Sequence, residues 1–238
     1  MKKTPIFSLI LAVLPMMASA QDDDVTIDGI FYYLNDYTPY GGDIYATVHR
    51  ADDNLTGTVF ILNSIIGASG KVYPVTNIDE DAFKQCSQMT EVVIPDNVRS
   101  IYEYAFGECT ALKNVYIGKG LTFIDEDAFE DCSALRDFTV TVLTPPSIDD
   151  KYVIDPKIRA QVALHVSAEA IDSYKADEFW GSFKSIDDVV NIPTAITSVS
   201  QQSAAAVTYD LQGRRLQAPG KGVIIRRGNG KAKKMVLK

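Results

Sequence analysis

Three kinds of potentially reactive side chain recur in this chain at fixed spacing. Cys86, Cys109 and Cys132 stand 23 residues apart. A row of thiols would bind a soft metal or close a disulfide. The count is odd and no histidine shares the period, so the preferred reading is packing: small buried thiols, one per repeat. A disulfide and a metal site are the alternatives. Neighbouring repeats bring Cα atoms within bridging range, and an exported protein meets an oxidising compartment.

Glu80, Glu103 and Glu126 keep the same period, and Asp79, Asp81, Asp125 and Asp127 thicken the row. Carboxylate oxygens hold calcium when a loop wraps them around the ion. Ala82 and Ala128 stand where such a loop needs ligands, so the row reads as a solvated convex face. The two histidines, His49 and His165, lie in no nucleophile or zinc motif. Gly228-Asn229-Gly230-Lys231 lacks the strand and spacing of a phosphate loop. The reading is therefore no enzyme, no cofactor and no metal.

What positions these residues is a repeat running from Ile78 to Val140. Ile78, Ile101 and Ile124 open three copies of a 23-residue unit. Ala82-Phe83, Ala105-Phe106 and Ala128-Phe129 follow, then the cysteines, then Met89, Leu112 and Leu135. Val92 and Ile94, Val115 and Ile117, Phe138 and Val140 close the copies. The closing pairs alternate with period two, as a strand with one buried face does. One strand per copy gives a parallel sheet with a spacing of roughly 4.8 Å. Pro95 ends the first strand, and Gly118 and Gly120 bend the chain after the second. Ala and Phe side by side cannot both face the core of a strand, so a tight helical turn is predicted there. Phe83, Phe106 and Phe129 then form an internal ladder. No copy hides its own apolar edge, so a stack needs caps at both ends.

With Val92, Ile94, Val115, Ile117, Phe138 and Val140 inward, the residues between them point outward. Glu91, Val93, Asn114, Tyr116, Asp137 and Thr139, with His165 continuing the row, are the candidate contact residues. A stacked repeat argues for a binding surface rather than a reaction.

The flanking sequence supplies caps and more. Residues 1–20 read as a signal peptide: Lys2 and Lys3, an apolar run from Ile6 to Met17, and a cleavage site after Ala20. Residues 21–77 read as a β-rich N-terminal cap. Its strands are Ile30–Leu34, Ile44–Val48, Thr58–Leu62 and Val72–Val75, the last two joined across Gly67 to Gly70. Its tyrosines Tyr32, Tyr33, Tyr37, Tyr40 and Tyr45 suit an exposed sheet, with a sugar- or protein-binding patch as the alternative. In residues 141–188 a degenerate repeat leads to a fourth strand, Ala163–Val166, with Ile148 one residue late. A helix capped by Ser167 follows, and Ile171, Tyr174, Trp180 and Phe183 cover the stack. Residues 189–206 read as a linker and 207–238 as a small β segment.

The chain of 238 residues carries a net charge of −8, unevenly spread. From Gln21 to Ser198 there are 12 Lys+Arg against 30 Asp+Glu, a balance of −18. From Val199 to Lys238, 9 Lys+Arg face Asp210 alone, a balance of +8. An acidic body argues against nucleic acid or an anionic membrane as partner.

The unit I-x-x-x-A-F-x-x-C-x-x-L-x-x-V-x-I resembles the BspA-type leucine-rich repeat of Bacteroidota surface proteins. Asp28-Gly29-Ile30-Phe31-Tyr32-Tyr33 through Tyr73 to Ile78 is similar to that family's N-terminal cap. Leu164-His165-Val166 through Tyr174, Trp180 and Phe183 is similar to its C-terminal cap. The repeat departs from the commoner leucine-rich pattern, which places Asn or Cys three residues after the strand: only Asn97 sits there. Tyr209 to Arg215, Gly222 to Ile225 and Lys234 to Lys238 resemble a type A C-terminal sorting domain of the type IX (Por) secretion system.

These resemblances imply a repeat solenoid of leucine-rich-repeat type, with parallel β-strands and short helical turns. They imply a secreted or cell-surface binding protein, working by adhesion or protein–protein interaction through the strand face, its partner a host or bacterial surface protein. The tail would engage the secretion machinery, with the periplasm as the other destination. The alternatives are a glycan- or nutrient-binding accessory module and a structural subunit of a surface assembly.

Overall fold

A 23-residue period allows one circuit of backbone and one return to the same register. The computed structural model shows that circuit. It describes residues 24–36 and 43–189, together with the backbone of three later strands. The expected signal peptide, Tyr37, Tyr40, most of the linker and the side chains of the tail lie outside the described residues.

Each coil contributes one strand to each of two sheets, except the last, which reaches the larger sheet alone. The larger strands are β4 (Thr56–Phe60), β7 (Gln88–Ile94), β9 (Asn114–Ile117), β11 (Asp137–Val140), β13 (Ala163–Val166) and β14 (Ser185–Asp188). They form a six-stranded sheet in the order β14-β13-β11-β9-β7-β4, parallel throughout. Four strands follow from the sequence; Thr56–Phe60 and Ser185–Asp188 add one at each edge. Pro95 stops β7, since proline has no N–H for the ladder.

A second sheet, not expected from the sequence, runs along the opposite side. The isoleucines that open the copies build its short parallel strands: β8 (Ser100–Ile101), β10 (Phe123–Ile124) and β12 (Ser147–Ile148), beside β6 (Val72–Ile78). Ile148, late by one residue, still pairs with Ile124. The N-terminal strands β1 (Val25–Ile27), β2 (Ile30–Asn35) and β3 (Tyr45–Ala51) continue this sheet, with β3 parallel to β6. The strands at Thr58–Leu62 and Val72–Val75, joined across Gly67 to Gly70, do not pair with each other. A short β5 (Ser64–Ile66) pairs antiparallel with β6, while β4 crosses to the other sheet.

The Ala-Phe-x-x-Cys segments are turns, not helices. Ala82 N–H donates to Asp79, Lys84 to Asp81 and Cys86 to Phe83. Left-handed residues at Asp81 (φ 56°) and Gln85 (φ 64°) break any helical run, and Tyr104, Glu108, Asp127 and Asp131 repeat the pattern. The turns bring Phe83, Phe106 and Phe129 into a column with centroids 5.0 Å apart and planes within 8°. That separation follows from the coil rise, and it gives the offset stacking that aromatic quadrupoles favour. Phe129 then meets Phe138 edge-on at 5.2 Å.

Gly118 and Gly120 are required by close approach rather than by a positive φ. A Cβ on Gly118 would stand 2.6 Å from the Asp96 backbone nitrogen, and one on Gly120 would run into the Asp96 carbonyl.

After β13 the chain makes a 3-10 turn, Ala168–Ala170, and the helix α2 (Ile171–Ala176); a shorter α1 (Pro156–Arg159) precedes β13. Trp180 is fully buried, packs 6.2 Å from Phe138 and donates its indole N–H to Pro146 O at 2.9 Å. Tyr174 and Phe183 are buried with it. Ser167 stands at the expected cap position, but its side chain makes no capping bond and its Oγ is buried without a partner. Buried Arg159 donates to Lys151 O at 2.7 Å and lies 4.3 Å over the Phe179 ring. The tail strands β15 (Thr208–Tyr209), β16 (Gly222–Gly228) and β17 (Lys231–Leu237) form their own antiparallel sheet.

Candidate binding face

The pleat of the six-stranded sheet decides which residues are offered to a partner. Val92, Ile94, Val115, Ile117, Phe138 and Val140 point inward and are buried in the core. Their neighbours line the outer face in two rows. Across β4, β7, β9, β11 and β13 the first row runs Thr58, Glu91, Asn114, Asp137 and Ala163. The second runs Phe60, Val93, Tyr116, Thr139 and His165, and ends on Asp187 of β14.

The first row is joined by hydrogen bonds. Asn114 Nδ2 donates to Glu91 Oε2 at 3.1 Å, and Thr58 Oγ1 donates to Glu91 Oε1 at 3.4 Å. His165 Nε2 lies 3.1 Å from Asp137 Oδ1. Tyr116 stands half-buried in the second row. Burial, followed by the nearby carboxylates of Glu91 and Asp137, pushes its phenol above the usual range.

Five of the seven expected contact residues offer surface: Glu91, Asn114, Tyr116, Asp137 and His165. Val93 and Thr139 do not. They lie on the outer side of the pleat but are only 1% and 3% exposed. Larger neighbours on the adjoining strands flank both. Phe60 and Tyr116 stand either side of Val93, and Tyr116 and His165 either side of Thr139. Phe60 was not expected on this face. It is 43% exposed and is the largest open apolar side chain in the row. Its signal was the Thr58-Val59-Phe60 alternation, which reads as a strand without revealing which sheet receives it.

The thiols are free, buried and regularly partnered. Cys109 Sγ donates to Phe83 O at 3.1 Å and Cys132 Sγ to Phe106 O at 3.2 Å. Both histidines pair with carboxylates: His165 with Asp137, and His49 with Asp79 at 2.9 Å. The acidic row is present as a surface feature. Burial first, and then Glu126 and Glu80, raises the Glu103 carboxyl above its ordinary value. Among the described residues no group of His, Cys, Asp and Glu is arranged to hold a metal ion. Two depressions among the described residues bear on function. One of about 530 Å³ follows Gln85, Glu108 and Asp131 with Ser87, Thr110 and Ser133 along the turns. The other, about 350 Å³, lies beside His49.

Residues 72–151 match the model for the BspA type leucine rich repeat region in six copies. Six full coils cannot fit in that span, and the register of the two sheets counts coils by the 23-residue spacing. The chain is similar to a leucine-rich repeat protein from Bacteroides capillosus, at 31% identity over 53% of this chain and 88% of that one, with a TM-score of 0.47. It is also similar to a leucine rich cell surface protein from Faecalibacterium prausnitzii, at 22% identity over 72% of this chain and 44% of that one, TM-score 0.47. A leucine rich repeat protein of T. pallidum matches at 18% identity over 68% of this chain and 80% of that one, TM-score 0.46. No curated protein matches the sequence.

Proposed function

We propose that this chain, which belongs to the leucine-rich-repeat proteins and carries a BspA-type repeat region, is a non-catalytic binding protein whose contact surface is the outer face of the six-stranded sheet. One observation carries the reading. Six parallel strands present an unbroken face on which Phe60 and Tyr116 stand beside a hydrogen-bonded row of Thr58, Glu91 and Asn114. Aromatic anchors next to fixed polar groups are what protein interfaces concentrate.

The size of the face limits its strength. Six strands span ~24 Å and each four-residue strand ~13 Å, roughly 300 Å². A partner of standard size covers about 800 Å² on each side. Contact therefore extends to the rims, where Lys113 and Lys184 are exposed before their strands. An affinity in the micromolar range is expected rather than nanomolar.

The partner in this reading is a protein of a host or bacterial surface, and the role is adhesion. Export is supported by Lys2 and Lys3 ahead of the apolar run, and by the resemblance of Tyr209–Arg215 and Lys234–Lys238 to a sorting domain. The N-terminal strands and the Tyr174–Trp180–Phe183 cluster act as the two caps. The test is binding of the full chain to a panel of extracellular-matrix proteins, with Tyr116→Ala as control. A hit lost in the control supports the reading. Binding indifferent to Tyr116 moves the contact elsewhere.

A further inference from the structure

A second surface lies on the opposite sheet, at its N-terminal end. His49 is central to it. Asp79 engages His49 Nδ1 at 2.9 Å, and the imidazole remains 55% exposed, with Nε2 available to a ligand. Two rings flank it. Phe31 meets it edge-on at 5.8 Å, and Tyr33 lies at 6.5 Å. Tyr33 is 47% exposed and stands beside Thr47 of the next strand, which in turn pairs with Asn77. Next to His49 opens the depression of about 350 Å³, lined by Arg50, Asp53, Glu80, Asp81 and Lys84. That volume is within the range of small-molecule sites.

The lining chemistry selects among ligand classes. Arg50 and Lys84 oppose Asp53, Glu80 and Asp81, and Lys84 Nζ already pairs with Asp81 Oδ1 at 2.9 Å. With three carboxylates to two cations, the lining disfavours an anionic ligand. It offers donors and acceptors side by side, which suits a neutral ligand rich in hydroxyls. A hydroxyl both donates and accepts, and an exposed phenol ring accepts the apolar face of a sugar. The geometry points to a saccharide subsite: the depression takes the hydroxyls of a neutral sugar, with Arg50 and Glu80 as the main polar contacts, and Tyr33, outside the depression and 6.5 Å from its lining residue His49, is the stacking ring for the adjoining part of the sugar. This site shares no residue with the strand face and stands or falls independently of it.

The experiment is affinity gel electrophoresis of the full chain in gels containing mannan, galactomannan, xylan or polygalacturonate. At least one of the three neutral polysaccharides is expected to retard the protein. Tyr33→Ala and Arg50→Ala are each expected to weaken that retardation tenfold or more, while Tyr116→Ala leaves it unchanged. Both altered positions are exposed, and emission from Trp180 checks that the variants remain folded. Retardation that survives both substitutions would overturn the assignment. So would the absence of retardation in every neutral gel, or retardation by polygalacturonate alone that disappears with added salt.

Discussion

The Cys109 thiol donates to the carbonyl of Phe83 at 3.1 Å, linking one coil to the one before it. Cys132 does the same to Phe106. The coil before it has no Ala-Phe turn, and Cys86 donates instead to Asp52 O at 3.6 Å, between β3 and β4. Each cysteine therefore fills a small core slot and also stitches neighbouring turns. Cys109→Ala removes both contributions and is expected to cost about 1–2 kcal/mol. Cys109→Ser keeps a donor but puts a hydroxyl in the thiol's slot. Denaturant midpoints of the two variants measure the difference.

The same thiols give a pH dependence of definite sign. Burial, then Asp53 and Asp52, pushes Cys86 up to about 11, and burial pushes Cys132 to about 12. In the unfolded chain a thiol titrates near 9.0. Their contribution to stability is complete below that value. Above it the unfolded chain releases protons that the native state retains, so stability falls as pH rises from 9 toward 11. Each thiol contributes about 1.4 kcal/mol per pH unit in that window. Urea titrations between pH 9 and 10.5 should show a shallower fall in Cys86→Ala. Equal slopes would contradict the burial argument.

Phe106 is stacked on both sides, by Phe83 and Phe129. Truncation to alanine opens a cavity that two coils share, and neither can collapse into it. Phe106→Ala is expected to cost about 3–5 kcal/mol. Phe83→Ala loses a stacking partner on one side only and should cost less. A thermal melt of the two variants ranks them.

Trp180 is the chain's single tryptophan, so its fluorescence reports on the segment packed against Phe138. Trp180→Phe keeps most of the apolar contact but leaves Pro146 O without its indole donor, a loss of about 1 kcal/mol. In the unaltered protein the emission should be blue-shifted and move red in one step with the far-ultraviolet transition. Two separate transitions would show that this segment unfolds apart from the repeats.

Gly120→Ala forces a Cβ against the Asp96 backbone of the neighbouring coil. Backbone cannot swing aside as a side chain can, so a loss of about 2 kcal/mol or more is expected. Gly70→Ala provides a contrast, since nothing stands within 4 Å of the added carbon; only its positive φ opposes the change.

How much of this was legible in the sequence depended on range. The repeat, the phenylalanine column and the inward residues of the strands all follow from spacing within one coil. So does Trp180 as the anchor after the last copy. Ile78, Ile101 and Ile124 revealed the period but not the second sheet, because a two-residue strand is too short to show alternation. Thr56–Phe60 and Ser185–Asp188 fall outside the period, so nothing local announced that they extend the strand face. Val93 and Thr139 point outward along their own strands, as alternation requires. They are buried between larger residues in register on neighbouring strands, a lateral effect that a single strand cannot reveal. The left-handed residues at Asp81 and Gln85 replaced the expected helical turns. Two φ reversals in five residues turn the chain more sharply than a helix would.

The central claim is that the outer face of the six-stranded sheet is where a partner protein docks. The most direct measurement is surface plasmon resonance of the full chain over a panel of extracellular-matrix proteins, run with Tyr116→Ala, Phe60→Ala and Tyr33→Ala. The account predicts micromolar binding to at least one protein. It predicts a loss of tenfold or more in Tyr116→Ala and in Phe60→Ala, and no change in Tyr33→Ala, which lies on the opposite sheet. Binding that ignores Tyr116 and Phe60, or no binding to any protein of the panel, would contradict it.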